Sequence, residues 1–175
     1  MAILTIRTIP DPILRQKTKQ VSGIDKSIKK LIANMRETLH ATPGRVGLAA
    51  PQVGVSLRVT VIGIPEEEDI ILINGEIVRR KGKRLVNEGC LSIPGYIGEL
   101  YRAESVTVKG LDIKGMEIRI KAEGLLSQAL EHEIDHLNGT LYIDRMENMD
   151  SLRKIEPEDI EAQSQTAEDS ENKVS

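Results

Sequence analysis

A chain of 175 residues with 24 Lys and Arg against 27 Asp and Glu, a net charge of −3, fits one domain, and without a basic stripe it has no footprint for nucleic acid. One cysteine excludes an internal disulfide, no apolar run reaches the length of a membrane span, and the core has to be aliphatic because Phe and Trp are absent. The N-terminus shows neither a signal-peptide run nor a transit-peptide composition, so a bacterial-type, reducing cytoplasm is the expected compartment.

In chain order, Asp25 precedes Ile28, Leu31, Ile32, Met35 and Leu39 at helical spacing, with Lys26, Lys29, Lys30, Arg36 and Glu37 filling the other face. This predicts an N-terminal amphipathic helix, ended by Pro43 and Gly44. The run Gly47-Leu48-Ala49-Ala50-Pro51-Gln52 follows as a loop that neither helical nor strand periodicity explains. Residues 58–64 and 70–73 read as β-branched strands around an acidic turn, and further strands are expected at 76–80, 104–108 and 116–120. Short connections between these strands fit antiparallel pairing.

From Glu123 the pattern returns to helix, with Leu125, Ala129, His132 and His136 in one stripe and Asn138-Gly139 as its stop. The fold class expected is therefore α+β, with antiparallel sheets packed around this second, central helix. After Met146 the apolar pattern fades. Residues 1–146 are expected to form the catalytic domain and residues 147–175 a short acidic tail, largely disordered, because so few apolar groups cannot offset chain entropy.

The scarcest side chains converge. His132 and His136, four residues apart in His132-Glu133-Ile134-Asp135-His136, share a helix face and can grip one ion, with Glu133 beside them as a general base. Cys90, in Glu88-Gly89-Cys90-Leu91-Ser92, is the natural third ligand. A thiolate and two imidazoles leave a tetrahedral ion one open position, the mark of a catalytic rather than a structural site. The remaining histidine, His40, is expected to be a bystander.

Three such segments, in this order, resemble the peptide deformylase family, whose motifs are G-x-G-L-A-A-x-Q, E-G-C-L-S and H-E-x-x-H. The resemblance runs from about residue 4 to about residue 146. One position departs from it. Arg45 stands where the first motif begins with glycine, and the expectation is that Gly44 has taken over the turn while the Arg45 side chain points outward at the channel rim.

The resemblance implies hydrolysis of the N-formyl group of formyl-methionyl nascent peptides, releasing formate, with the Gln52 amide and the Leu91 N–H as oxyanion donors. It implies one divalent ion, ferrous iron in the cell, with zinc, nickel or cobalt as isolated. Val46, Val86, Leu125 and Ala129 would wall a slot for the Met side chain, with Gln128 nearby, while Gly47 and Gly89 would pair with the substrate backbone. Glu88 and Arg102 would pair behind the Cys90 loop. A monomer working near the ribosome exit, away from membranes, completes the expectation. A zinc endopeptidase and a non-catalytic, metal-stabilised peptide binder are the alternatives. Cys90 and the short chain argue against the first, and retention of Glu133 and Gln52 against the second.

Overall fold

The computed structural model describes residues 2–159. Its first α-helix is α1 (Lys26–His40), started by the Asp25 carboxylate, which accepts a hydrogen bond from the Ile28 N–H at 3.0 Å. The helix buries Ile28, Ile32, Met35 and Leu39 and leaves its lysines in solvent.

Five strands form one antiparallel sheet in the order β1 (Gly47–Ala49), β2 (Val59–Ile62), β3 (Ile70–Lys81), β6 (Ser105–Leu111) and β7 (Glu117–Glu123). β4 (Arg84–Cys90), β5 (Ile93–Arg102) and β8 (Arg153–Lys154) form a second, smaller sheet. β2 is buried at all four positions because both faces of the large sheet are covered. Val59 and Val61 pack with α1, whereas Ile62 packs with α2 (Gly124–Leu137) through Leu130, Ile134 and Leu137. Each fully buried Leu or Ile here is worth about 1.5–3 kcal/mol against exposure.

Residues 70–73 and 76–80, read from sequence as two strands, are one strand with an irregularity between Ile73 and Glu76. Asn74 adopts a left-handed conformation there, φ 55°, and its side-chain amide replaces lost ladder bonds by pairing with both the N–H and the carbonyl of Val21. β4 and β5 went unread in the sequence, because Asn87, Gly89, Pro94, Gly95 and Gly98 break the alternation. The Gly47 to Gln52 segment, expected as a loop, is β1 followed by a 3-10 turn at Ala50–Val53.

The packed chain also continues past the boundary expected at residue 146. Leu152 joins the core around Leu100, Leu141 and Tyr142, β8 pairs with Tyr96 and Ile97, and the Ile155 N–H bonds to the Gly95 carbonyl. One two-residue strand and a few apolar contacts lie below what a periodicity argument detects. The expected disorder of the remaining tail falls on residues 160–175, outside the described residues.

Candidate active site

Three elements meet at one point. α2 contributes His132, Glu133 and His136; β4 ends at Cys90; and the turn after β1 contributes Gln52. The donor atoms of Cys90, His132 and His136 all lie within 4.8 Å of one another. Cys90 Sγ is 3.3 Å from His136 Nε2, which is 3.3 Å from His132 Nε2. Bond lengths of about 2.3 Å to sulfur and about 2.0–2.1 Å to nitrogen place tetrahedral donors about 3.3–3.6 Å apart, so the residues fit a zinc-sized divalent ion. His40 is elsewhere, hydrogen-bonded to Asp69.

Orientation comes from behind. His132 Nδ1 donates to Glu88 Oε1 at 2.6 Å, which turns Nε2 toward Cys90 and His136. Glu88 is buried and also accepts two hydrogen bonds of 2.7 Å from Arg102. Burial pushes the Glu88 carboxyl up, but Arg102 and His132 outweigh it and hold it down at about 2. Arg102 also donates to Asp135 at 2.7 Å, and Asp135 accepts from Arg145 at 2.6 and 2.7 Å. Charges alternate along this chain from Arg145 to His132.

Burial likewise raises the Cys90 thiol, yet His136 and His132 more than offset it and hold the group well below the ordinary thiol range. A thiolate is the form that ligates metal. His136 is 1 % exposed, and its Nδ1 has no hydrogen-bond partner among the described residues.

Glu133 is buried beside this cluster. Burial pushes its carboxyl above the ordinary value, opposed by His132 and His136 and reinforced by the charges of Cys90 and Glu88. Its position depends on Gly47: a Cβ there would lie 2.7 Å from Glu133 Oε1 and 2.8 Å from its Cγ. The strand therefore approaches the carboxylate as closely as a glycine permits.

Gln52 is 2 % exposed, and its two amide ends are assigned different partners. Oε1 accepts from the Ala49 N–H at 3.0 Å, and Nε2 points to Cys90 Sγ at 3.5 Å and Ser92 Oγ at 3.3 Å. Leu91 and Ser92 are the two central residues of the turn joining Cys90 to Ile93, which places the Leu91 backbone next to the ligand sulfur.

The expected pocket residues distribute unevenly. Ala129 is buried and Val46 and Val86 are partly buried, whereas Leu125 is 48 % exposed. Leu126, one position on, takes the inward direction instead and packs into the core. Gln128 does not simply line a wall: its Nε2 donates to the Asn87 carbonyl at 3.2 Å and reaches Glu88 at 3.4 Å. Gly89 lies on β4, where a Cβ would come within 3.1 Å of the Tyr96 carbonyl oxygen.

Some contributors escaped the sequence reading. Ser92 is fully buried, and its N–H reaches Cys90 Sγ at 3.4 Å. Its only signal was the end of the E-G-C-L-S motif. Asp135 and Glu131 are buried acids on α2; Glu131 binds Arg80 and the Ala103 N–H. Their signal was an acid directly before each histidine of the pair, which surface charge would produce equally well.

Residues 3–152 match the family model for polypeptide deformylase. A peptide deformylase of Dehalococcoides mccartyi (strain CBDB1) is 56% identical over 160 residues, covering 91% of this chain and 95% of that protein. Among solved structures, peptide deformylase from Ehrlichia chaffeensis in complex with actinonin superposes with a TM-score of 0.81 at 36% identity, over 99% of each chain. That from Legionella pneumophila gives 0.79 at 40% identity, over 97% of this chain and 96% of that one. With the family model covering most of its length and relatives above half identity, this chain belongs to the polypeptide deformylase family.

Proposed function

We propose that this chain removes the formyl group from the N-terminal formyl-methionine of newly made polypeptides, releasing formate. The observation that carries the reading is the convergence of Cys90, His132 and His136 with the buried Glu133 carboxylate and the Gln52 amide on one point. A structural metal site needs neither of the last two.

Cys90, His132 and His136 hold the ion, which when bound supplies Lewis acidity, polarising a carbonyl and making water ionise near pH 7 rather than about 15.7. Glu133 Oε2 has no hydrogen-bond partner among the described residues and is free to take a proton from the attacking water. A carboxyl raised by burial keeps that proton long enough to hand it to the departing amino nitrogen. Gln52 Nε2, held beside Cys90 Sγ, and the Leu91 N–H, one residue after Cys90, are the donors assigned to the negative charge that develops on the formyl oxygen. Water adds to the formyl carbon, the C–N bond breaks, and the products are formate and a free amino terminus.

Val46, Val86, Ala129 and Leu125 are proposed to line the Met side-chain slot, with Gln128 fixed to β4 at its border and Gly47 and Gly89 pairing with the peptide backbone. Glu88 and Arg102 act by orienting His132. We assign ferrous iron in the cell, with zinc, nickel or cobalt accepted by the same thiolate and imidazole donors. The reading places a monomer in the cytoplasm, acting on nascent chains at the ribosome exit. No helix among the described residues is long and apolar enough to cross a membrane.

The test is formate release from formyl-Met-Ala-Ser by protein purified anaerobically, beside cleavage of an internal peptide bond and metal analysis. Formate release with one metal per chain is expected. Internal cleavage without deformylation would favour the endopeptidase instead.

A further inference from the structure

Arg45 is the place where this chain parts from the motif it otherwise follows. Gly44, at φ 79°, supplies the turn, so position 45 is released from the need for glycine. Pairing continues one residue ahead of β1, since the Val46 carbonyl accepts from the Gly63 N–H at 2.9 Å. Strand alternation carried back through the paired Val46 assigns Arg45, two residues before Gly47, to the side of the segment that Gly47 turns toward Glu133. Two extended residues span about 6.6 Å, within the reach of an arginine side chain.

Among the described residues β1 pairs only with β2, and β4 only with β5, so each presents an edge that no described strand covers. A substrate strand whose formyl carbon sits beside Glu133 and whose backbone follows the β1 edge passes Arg45 with the residues just after its Met. The Arg45 guanidinium has no ion-pair or hydrogen-bond partner among the described residues. Desolvation lowers the Arg45 pKa, while the charge of Cys90 acts in the opposite direction.

We infer that Arg45 is a specificity-determining residue, which selects formyl-methionyl peptides carrying a carboxylate side chain at the second or third position over those carrying an ammonium group there. The inference rests on the deformylase reading. An unpartnered cation at the mouth of a strand-shaped slot attracts an acidic side chain and repels a basic one, at a strength set by partial exposure and salt.

The experiment measures kcat/KM for formyl-Met-Asp-Ser, formyl-Met-Ala-Ser and formyl-Met-Lys-Ser with the full chain and with R45Q and R45K. It also measures the affinity of the matching unformylated peptides by calorimetry. The expected acidic-to-basic ratio is about threefold to tenfold in both readouts, retained in R45K, lost in R45Q, and shrinking at high salt. A parental ratio near one, or a ratio that survives in R45Q, overturns the assignment. Turnover of the neutral peptide tests the deformylase reading separately. If no formyl peptide reacts, that reading falls while the affinity ratio still decides the role of Arg45.

Discussion

Glu133 is placed by the absence of a side chain opposite it. Gly47 has no left-handed backbone, so alanine there meets no conformational penalty, and its whole effect comes from a methyl group 2.7 Å from Glu133 Oε1. Gly47→Ala is expected to lower kcat about tenfold or more while metal content, read by elemental analysis, stays at the parental level. Undiminished turnover would show that the carboxylate relocates freely. Glu133→Gln preserves shape and removes the proton acceptor, and turnover should fall by about 10²–10⁴-fold with the metal retained. A loss of only a few-fold would remove Glu133 from the mechanism. Cys90→Ala should strip the metal, whereas His40→Gln should not, because His40 faces Asp69. Full metal occupancy in the Cys90 variant would refute the ligand set.

At the level of elements, the site depends on tying β4 and β5 to α2. Arg102 on β5 does so by bonding Glu88 on β4 and Asp135 on α2 at once, with 3 % of its surface exposed. Removing it leaves two buried carboxylates short of their partner, a change typically costing about 3–5 kcal/mol. Arg102→Gln is expected to drop Tm by roughly 10 °C. Metal affinity should weaken about 10- to 100-fold, since Glu88 would no longer hold His132 in register. The double variant Glu88→Gln/Arg102→Gln, in which one orphaned charge is gone, should recover part of the Tm but not the metal affinity. A double variant destabilised by the sum of the two single variants would mean that Glu88 and Arg102 act independently.

At the level of the molecule, one helix is shared by the two sheets. α2 packs Leu130, Ile134 and Leu137 against one face of the five-stranded sheet and turns His132 and His136 toward the hairpin of the small sheet. Stability and metal binding are thus built on the same element. Deleting residues 160–175, which contain only Ile160, Ala162, Ala167 and Val174 as apolar groups, is expected to leave Tm and turnover unchanged. A fall in either, measured by thermal melting and formate release, would show that those residues dock on the domain.

What the sequence determined by itself was local chemistry. The i, i+4 histidines, the lone Cys90 and the cap at Asp25 declare themselves because helical periodicity and rare residue types act over a few positions. The motifs around Gln52 and Cys90 were visible for the same reason. The tertiary structure alone decided what depends on distant chain. The strands β4 and β5 exist because they pair with each other and cover the core around Leu100, not because their composition favours extension. Ser92, Asp135 and Arg145 become part of the site only when β4, α2 and the segment after α2 are brought together. Leu125 and Leu126 are one residue apart with the same chemistry, and it is the face that α2 turns to the large sheet that leaves one half exposed and packs the other against the core.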